Sequence, residues 1–256
     1  MLLAIDIGNT NIVLGVFEDE RLRATWRLGT DFHKLEDEYA TVLLNLLSLK
    51  GLAFADIDRA IISSSVPPLV TVFEELCRRY FEVSPMVVGP GIKTGVRISI
   101  DNPREVGADR VANAAAGHRL YGGPLIVIDF GTATTLDAVS EDGDYLGGAI
   151  APGIGISAEA LFEHAAKLPR VELVRPQKAI GRNSVSAMQS GIIFGYVGLI
   201  EGIVVRMRKE LGGTAKVIAT GGLADTIARE TEVIEAVEPD LTLVGLRLVY
   251  ELNSGR

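Results

Sequence analysis

The chain has 256 residues, of which 48% are hydrophobic and 23% are charged, and its formal net charge is −8. This length can bury a substantial core in one large domain or in two smaller ones, while the negative charge and the lack of a lysine or arginine cluster argue against a nucleic-acid-binding surface. The single cysteine, Cys77, excludes an internal disulfide and fits a reducing compartment. One cysteine and three scattered histidines cannot form a structural zinc site.

The N-terminal stretch predicts a hairpin with a polar turn. Residues 2–5 form an apolar run typical of a buried strand, and Asp6 places a carboxylate at its end. Residues 8–11 form a small polar turn before a second apolar run over 12–17. Such a turn presents backbone N–H groups to a ligand, and Gly8 permits close approach. A carboxylate beside it suits a hydrated Mg²⁺ that a nucleotide phosphate carries.

The rest of the first half alternates strands and helices. A third strand is predicted over residues 22–28. Hydrophobic spacing and turn signals then predict, in order, a helix over 31–49, a strand over 59–63, a serine and proline loop, a helix over 69–80 and a strand over 86–88. The serines of that loop could contact a ligand, although such loops are more often simple connections.

A distinct segment links the two halves. Asn102-Pro103 favours an extended or turned backbone, and residues 108–120 are alanine-rich and strongly helical. Taken alone, Glu105 and Asp109 are acids that complement a helix dipole at its first turn, and Arg110 is a solvated charge.

The hairpin pattern recurs in the second half. Strands are predicted over residues 125–129, 136–139 and 145–150, and Asp129 aligns without a gap on Asp6, 123 positions earlier. Two copies in phase are a much stronger signal of a phosphate site than one. The alternative interpretation is two ordinary hairpins from an internal duplication, in which these aspartates are turn residues.

The remaining residues predict mostly helix. The predicted elements are helices over 156–164 and 184–209, a strand over 216–219, a turn over 220–222, and helices over 223–231 and 241–252. Four glycines recur on one face of the long helix: Gly191, Gly195, Gly198 and Gly202. Each costs about 1 kcal/mol relative to alanine, so close helix–helix packing is expected in compensation.

No membrane segment or targeting signal is expected. Asp6 interrupts the first apolar run too early for a signal peptide. Residues 188–205 are apolar but include Gln189, Glu201 and four glycines, so a buried helix is predicted rather than a membrane span. We expect a soluble, cytoplasmic protein.

The paired hairpins resemble those of the superfamily that contains acetate and sugar kinases, Hsp70 and actin. This resemblance implies an α/β fold with two ribonuclease H-like domains and a nucleotide cleft between them. The implied domains are residues 1–117 and 118–256, and it stays open whether the last helix packs on the first domain.

Further motifs narrow the resemblance to one family. The sequence N-P-R-E-V-G-A-D-R over residues 102–110, D-I-G-N-T-N over 6–11, D-F-G-T-A-T over 129–134 and G-G-A-I-A-P-G over 147–153 together look like a type III pantothenate kinase. The resemblance covers essentially the whole chain. It implies ATP-dependent phosphorylation of pantothenate to 4'-phosphopantothenate, the first step toward coenzyme A.

The resemblance also implies a set of site residues. Asp109 would be the catalytic base, with Arg110 paired to the pantothenate carboxylate. Asp6 would bind Mg²⁺ through water, and Asp129 would hold a monovalent cation, K⁺ or NH₄⁺. The implied ATP contacts are Asp6, Ile7, Gly8, Asn9, Thr10, Asn11, Ile12, Val13 and Thr132, and the implied substrate contacts are Ile100, Gly107, Ala108, Asp109, Arg110 and Ser184.

Two residues depart from the family pattern, and two other functions stay open. Ile100 stands where a tyrosine is frequent, and Ser184 where threonine is usual. No P-loop motif is present, so N–H groups of the two turns, Gly8 to Asn11 in the first and Gly131 to Thr134 in the second, are expected to converge on the phosphates. The family implies a homodimer. The alternatives are a kinase for a sugar or another small acid, and a non-catalytic nucleotide-binding regulator.

Overall fold

The computed structural model describes residues 1–255, which divide into two compact units. The first unit contains residues 1–96, 101–116 and 241–255, and the second contains residues 97–100 and 117–240. The last helix therefore belongs to the first unit. The predicted domain boundary between residues 117 and 118 stays a proposal.

The first unit is built on a five-stranded sheet. Its strands are β1 (Leu2–Ile7), β2 (Asn11–Glu18), β3 (Arg21–Gly29), β4 (Arg59–Ser64) and β5 (Met86–Val87), in the order β3-β2-β1-β4-β5. The first three strands are antiparallel, whereas β4 pairs in parallel with β1 and β5 with β4. Strand β1 is central and apolar on both faces, as a strand covered by helices on each side must be.

Helices cover both faces of this sheet. They are α1 (Glu36–Ser48), α2 (Pro67–Tyr80), α3 (Ala108–Tyr121), of which residues 108–116 belong here, and α7 (Leu241–Ser254), with short 3₁₀ helices over Phe54–Asp56 and Pro103–Glu105. Leu3 and Ile5 face the core formed with α1 and α2, while Leu2 and Ala4 pack with Ala112 of α3 and with α7. Gly245 of α7 permits this packing, because a Cβ there would collide with the Ala112 carbonyl.

The second unit repeats the same sheet. Its strands are β6 (Leu125–Phe130), β7 (Ala133–Val139), β8 (Tyr145–Pro152), β9 (Lys216–Gly221) and β10 (Ala236–Val237), in the order β8-β7-β6-β9-β10. Again three antiparallel strands are followed by two parallel ones. Its helices are α4 (Ile154–His164), α5 (Ser184–Glu210) and α6 (Ala224–Ala228). The predicted fold class, two similar ribonuclease H-like units, is confirmed.

Helix α5 is the one helix among the described residues with the length and composition of a membrane span, and 44% of its most apolar window is buried inside the structure. The core helix of a soluble protein has the same properties, so this is weak evidence for a membrane. Ile193, Ile200 and Val204 of α5 lie in the core of the second unit.

The glycines of α5 are not packed against another helix among residues 1–255. A Cβ at Gly191, Gly195 or Gly198 would meet no atom within 4 Å among the described residues, and one at Gly202 would meet only the Arg206 side chain. The close packing that the glycine spacing predicts is therefore not provided by another helix of the same chain.

Helix α1 begins later than predicted. The Asp31 carboxylate accepts a hydrogen bond from the His33 N–H (2.9 Å), and the Tyr39 hydroxyl donates to the Asp31 carbonyl (3.0 Å). The helix starts only after Leu35, whose N–H donates to the Glu38 carboxylate (3.0 Å). Local side-chain bonds thus compete with the helix over residues 31–35.

Two elements near the C-terminus also differ from prediction. Strand β10, which has only two residues, was not predicted. Helix α6 has five residues instead of spanning 223–231, since the Glu230 N–H donates to the Ile227 carbonyl in a closing turn (2.9 Å). The other strands and helices lie within three residues of their predicted bounds.

The two hairpins differ in the length of the turn. Ile7 pairs with Ile12 in the first, so four residues separate them, whereas Phe130 pairs with Thr134 in the second, with three residues between them. The second turn closes one residue earlier and is therefore tighter.

This difference corrects the gap-free alignment of the two copies. Beyond the turn, Val16 corresponds to Ala138 rather than to Val139, since a β-bulge follows each of these two residues. The repeated pattern itself is confirmed by the shared strand order, but the second turn is one residue shorter than the first.

Candidate active site

The first polar turn is held by hydrogen bonds to its own backbone and to Thr30. The Gly8 N–H donates to the Asn11 carbonyl (2.9 Å). The Thr30 hydroxyl donates to the Gly8 carbonyl (2.6 Å), and the Thr30 N–H donates to the Thr10 carbonyl (3.0 Å). The Gly8 N–H, expected among the phosphate donors, is thus already used inside the turn.

Ser65 supports the same turn from the loop between β4 and α2. Its N–H and its hydroxyl both donate to the Ile7 carbonyl, at 3.0 and 3.3 Å. The Asn9 side chain donates to the Ser65 hydroxyl (3.3 Å). One serine of the predicted loop therefore contacts the turn itself.

Asp6 lies at the carboxyl end of the central strand. It is half-buried, and its neighbour in the parallel ladder is Ser63 of β4. The Ser63 hydroxyl is buried, with 1% exposure, and has no hydrogen-bond partner among residues 1–255. A buried hydroxyl of this kind costs about 1–3 kcal/mol unless a ligand or water satisfies it, so this end of β1 has the character of a binding site.

Asp129 occupies the equivalent position in the second unit. It is half-buried at the end of β6, and its ladder neighbours are Thr135 and Thr220. A Cβ at Gly221 would lie 2.7 Å from the Asp129 carboxylate, so a glycine is needed there. The Gly131 N–H donates to the Ala133 carbonyl (3.1 Å), as Gly8 does in the first turn.

No group of three or more His, Cys, Asp or Glu residues among residues 1–255 is placed to hold a metal ion. A metal at either turn would therefore be held by one carboxylate, with water and ligand oxygens completing its shell. Mg²⁺ is commonly bound in this way. Asp6 beside the unsatisfied Ser63 hydroxyl fits that ion, and Asp129, whose ladder neighbours are two threonines, also offers oxygen ligands.

Asp109 is the second residue of α3. Its Oδ1 accepts a hydrogen bond from the Arg110 N–H (2.9 Å) and lies directly against Gly107. Ala108, Asp109 and Arg110 are all half-buried. A side chain on Gly107 would overlap the carboxylate, so this glycine makes room for the position that Asp109 occupies.

Asp6 and Asp109 belong to the same side of the first sheet. Alternation along β1 puts Asp6 on the face of Leu2 and Ala4, and those two residues pack with Ala112 of α3. Asp109 lies in the first turn of α3. The first unit therefore places both carboxylates on the same face of its sheet.

Besides Asp129, the predicted site residues Ile100, Thr132 and Ser184 belong to the second unit. Ile100 is half-buried and lies against Gly147 of β8, where a Cβ would be 3.5 Å from its Cγ2. The segment is attached to β8 because Ser99 donates to the Tyr145 carbonyl (2.8 Å). Thr132 is half-buried in the second turn, and Ser184 is exposed at the start of α5.

Thr30 was not predicted from the sequence, and the serine loop was named there without a specific contact. A usable signal existed for Thr30. The third strand of a meander runs back beside the first turn, so the residue that ends it must lie next to that turn.

The chain is similar to known proteins in sequence and in fold. The family model for type III pantothenate kinase matches residues 2–206. Among solved structures, a conserved Campylobacter jejuni protein named as a candidate transcriptional activator of the Baf family has a TM-score of 0.64 at 19% identity, covering 99% of this chain and 100% of its own.

Two further structures are similar in fold. The activator of 2-hydroxyisocaproyl-CoA dehydratase from Clostridium difficile, with bound ADPNP, has a TM-score of 0.54 at 13% identity over 99% of this chain and 94% of its own. A candidate 2-dehydro-3-deoxygalactonokinase from Sinorhizobium meliloti has a TM-score of 0.58 at 14% identity over 99% and 97%.

These identities establish the shared fold alone. The family model, in contrast, spans most of the chain and includes both turns and the segment that contains Asp109. The chain therefore belongs to the type III pantothenate kinase family.

Proposed function

We propose that this protein phosphorylates pantothenate with ATP to give 4'-phosphopantothenate and ADP, the first step of coenzyme A biosynthesis, in the cytoplasm. The observation that carries the proposal is the family match over residues 2–206, which includes the D-x-G turns and the Gly107–Arg110 segment. The position of Asp109 against Gly107 at the start of α3 supports it.

Asp109 is the proposed base. Its carboxylate accepts the proton of the pantothenate hydroxyl while that oxygen bonds to the γ-phosphorus of ATP, and the bond from this phosphorus to the β–γ bridging oxygen breaks to leave ADP. In a loose transition state the hydroxyl loses its proton late, so the main role of Asp109 is to orient the oxygen. The Arg110 guanidinium binds the pantothenate carboxylate.

The remaining site residues have binding roles in this proposal. The first turn, with Ile7 to Val13, and Thr132 of the second contact ATP, while Ile100, Gly107, Ala108 and Ser184 contact pantothenate. Asp6 would hold Mg²⁺ through water, and the ion would supply positive charge beside the phosphates. Asp129 holds the monovalent cation.

A homodimer is part of the proposal. The glycine face of α5 is open in this chain, and exposed Val185 and Val205 extend its apolar surface. A two-fold interface needs only that one surface be complementary to itself, and small residues let two copies of α5 approach closely. The face therefore suits a second copy of the same chain.

The test is a coupled assay for ADP with ATP and pantothenate. We expect ADP formation to depend on pantothenate, and Asp109→Asn to lower kcat about 10²-fold through loss of the base. Asp225→Asn is the matched control, since Asp225 is an exposed acid in the first turn of α6.

Each other outcome has a defined meaning. Turnover with a sugar or another small acid in a substrate panel, and none with pantothenate, would replace the substrate. Nucleotide binding without turnover on any substrate would favour the regulatory alternative. Equal activity of the Asp109→Asn and Asp225→Asn variants would leave Asp109 as an acid that only complements the helix dipole.

A further inference from the structure

Thr30 makes hydrogen bonds to two peptide groups of the first turn. Its hydroxyl and its N–H donate to the Gly8 and Thr10 carbonyls, at 2.6 and 3.0 Å. Both carbonyls therefore lie on the Thr30 side of the turn. The residue comes directly after β3, 22 positions from Gly8, and is half-buried.

The direction of these carbonyls determines the direction of two N–H groups. In a trans peptide the C=O of one residue and the N–H of the next point in opposite directions, and the peptides of this turn are trans. The N–H groups of Asn9 and Asn11 therefore point away from Thr30. The Asn9 N–H has no hydrogen-bond partner among residues 1–255.

The Gly8 N–H cannot replace them, because it already donates to the Asn11 carbonyl. Two backbone donors on one side of a turn make an anion-binding concavity. The Asn9 side chain is held separately by Ser65 (3.3 Å). Contacts from Thr30 and from Ser65, two distant parts of the first unit, thus hold the turn in a conformation that suits a phosphate.

We propose that the Thr30 hydroxyl is a positioning residue for the nucleotide phosphate, acting through the Gly8–Asn9 peptide. This inference rests on the proposed function, since it presumes that the first turn binds ATP. Without the hydroxyl the peptide has little to hold it, because glycine adopts many backbone conformations. A flipped peptide would present the Gly8 carbonyl oxygen to the phosphate, and the two negative groups would repel each other.

The experiment compares Thr30→Val, which removes the hydroxyl and keeps the shape, with Thr30→Ser, which keeps the hydroxyl. Binding of the non-hydrolysable analogue ADPNP with Mg²⁺ to the full chain is measured by titration calorimetry. One hydrogen bond is at stake, so we expect Thr30→Val to weaken binding roughly five- to tenfold and Thr30→Ser by less than about twofold.

Thr41→Val is the matched control, because the Thr41 hydroxyl also donates to a backbone carbonyl, that of Asp37 (2.8 Å), but on the exposed face of α1. It should leave ADPNP binding unchanged. In steady-state kinetics Thr30→Val should raise KM for ATP and leave KM for pantothenate unchanged, a split that a general loss of stability would not produce. Thr30→Ala provides a second variant without the hydroxyl if Thr30→Val folds poorly.

The outcomes separate the two proposals. Parental protein that binds ADPNP, with both hydroxyl-free variants binding equally well, would overturn the role of Thr30 and leave the proposed function intact. Parental protein that binds no nucleotide would overturn the proposed ATP site and this inference with it. Weakened binding in both hydroxyl-free variants, restored by Thr30→Ser, would support the role of Thr30.

Discussion

Gly107→Ala tests the position of the proposed base without changing the base itself. The added Cβ would lie about 1 Å closer to Asp109 Oδ1 than the 3.4 Å at which ordinary van der Waals contact begins. The carboxylate must move by about that distance, because backbone on either side holds Cβ in place. It would also lose its hydrogen bond from the Arg110 N–H.

The expected effects on activity and stability differ sharply. A misplacement of about 1 Å can cost on the order of 10²-fold in rate, so kcat should fall toward that of Asp109→Asn. The lost hydrogen bond costs about 1 kcal/mol, and replacing glycine returns about 0.4–1 kcal/mol through the unfolded state. The melting temperature should therefore change by only a few degrees.

The assay is the ADP-coupled reaction, with thermal unfolding measured in parallel. Gly89→Ala is the control, because a Cβ there meets no atom within 4 Å and Gly89 belongs to the same unit. Parental kcat in Gly107→Ala, with a large loss in Asp109→Asn, would show that the carboxylate position seen here is not the active one. Parental kcat in both would remove Asp109 from catalysis.

Three further predictions concern the cation, assembly and the cysteine. Asp129→Ala should weaken activation by K⁺ more than it raises KM for pantothenate, and superimposable K⁺ titrations for variant and parent would contradict that role. The parental protein should be a dimer by light scattering at micromolar concentration, and Gly195→Leu should lower both association and activity while each protomer still folds, because the new side chain meets open space within the chain; a fully active parental monomer would exclude the dimer. Burial raises the pKa of the Cys77 thiol to about 12, so the native protein should react with Ellman's reagent at pH 8 at least about 100-fold more slowly than the unfolded chain, since the thiolate is the nucleophile; equal rates would show that α2 opens readily.

Much of the fold could be predicted from local patterns. Apolar runs of four to eight residues, ended by glycine or polar turns, located nearly all strands, and helical spacing located the helices. The two D-x-G turns and the segment over 102–110 also indicated the family and the residues of its site. These signals are readable because side-chain periodicity and turn chemistry act over a few neighbouring residues.

Other features depend on contacts between residues far apart in the chain. The late start of α1 follows from bonds among Asp31, His33 and Tyr39 that overrule helical spacing. The final helix joins the first unit because its apolar face, with Leu243 and Leu246, completes a core around Leu2 of β1.

The same reason explains what was missed at the site. A turn motif indicates that backbone donors are present, but their directions depend on what holds the carbonyls. Here that partner is Thr30 at the end of another strand, and the Gly8 N–H donates to the Asn11 carbonyl inside the turn. The residue types at the site are thus local information, whereas the hydrogen-bond geometry that orients them arises only when the strands have paired.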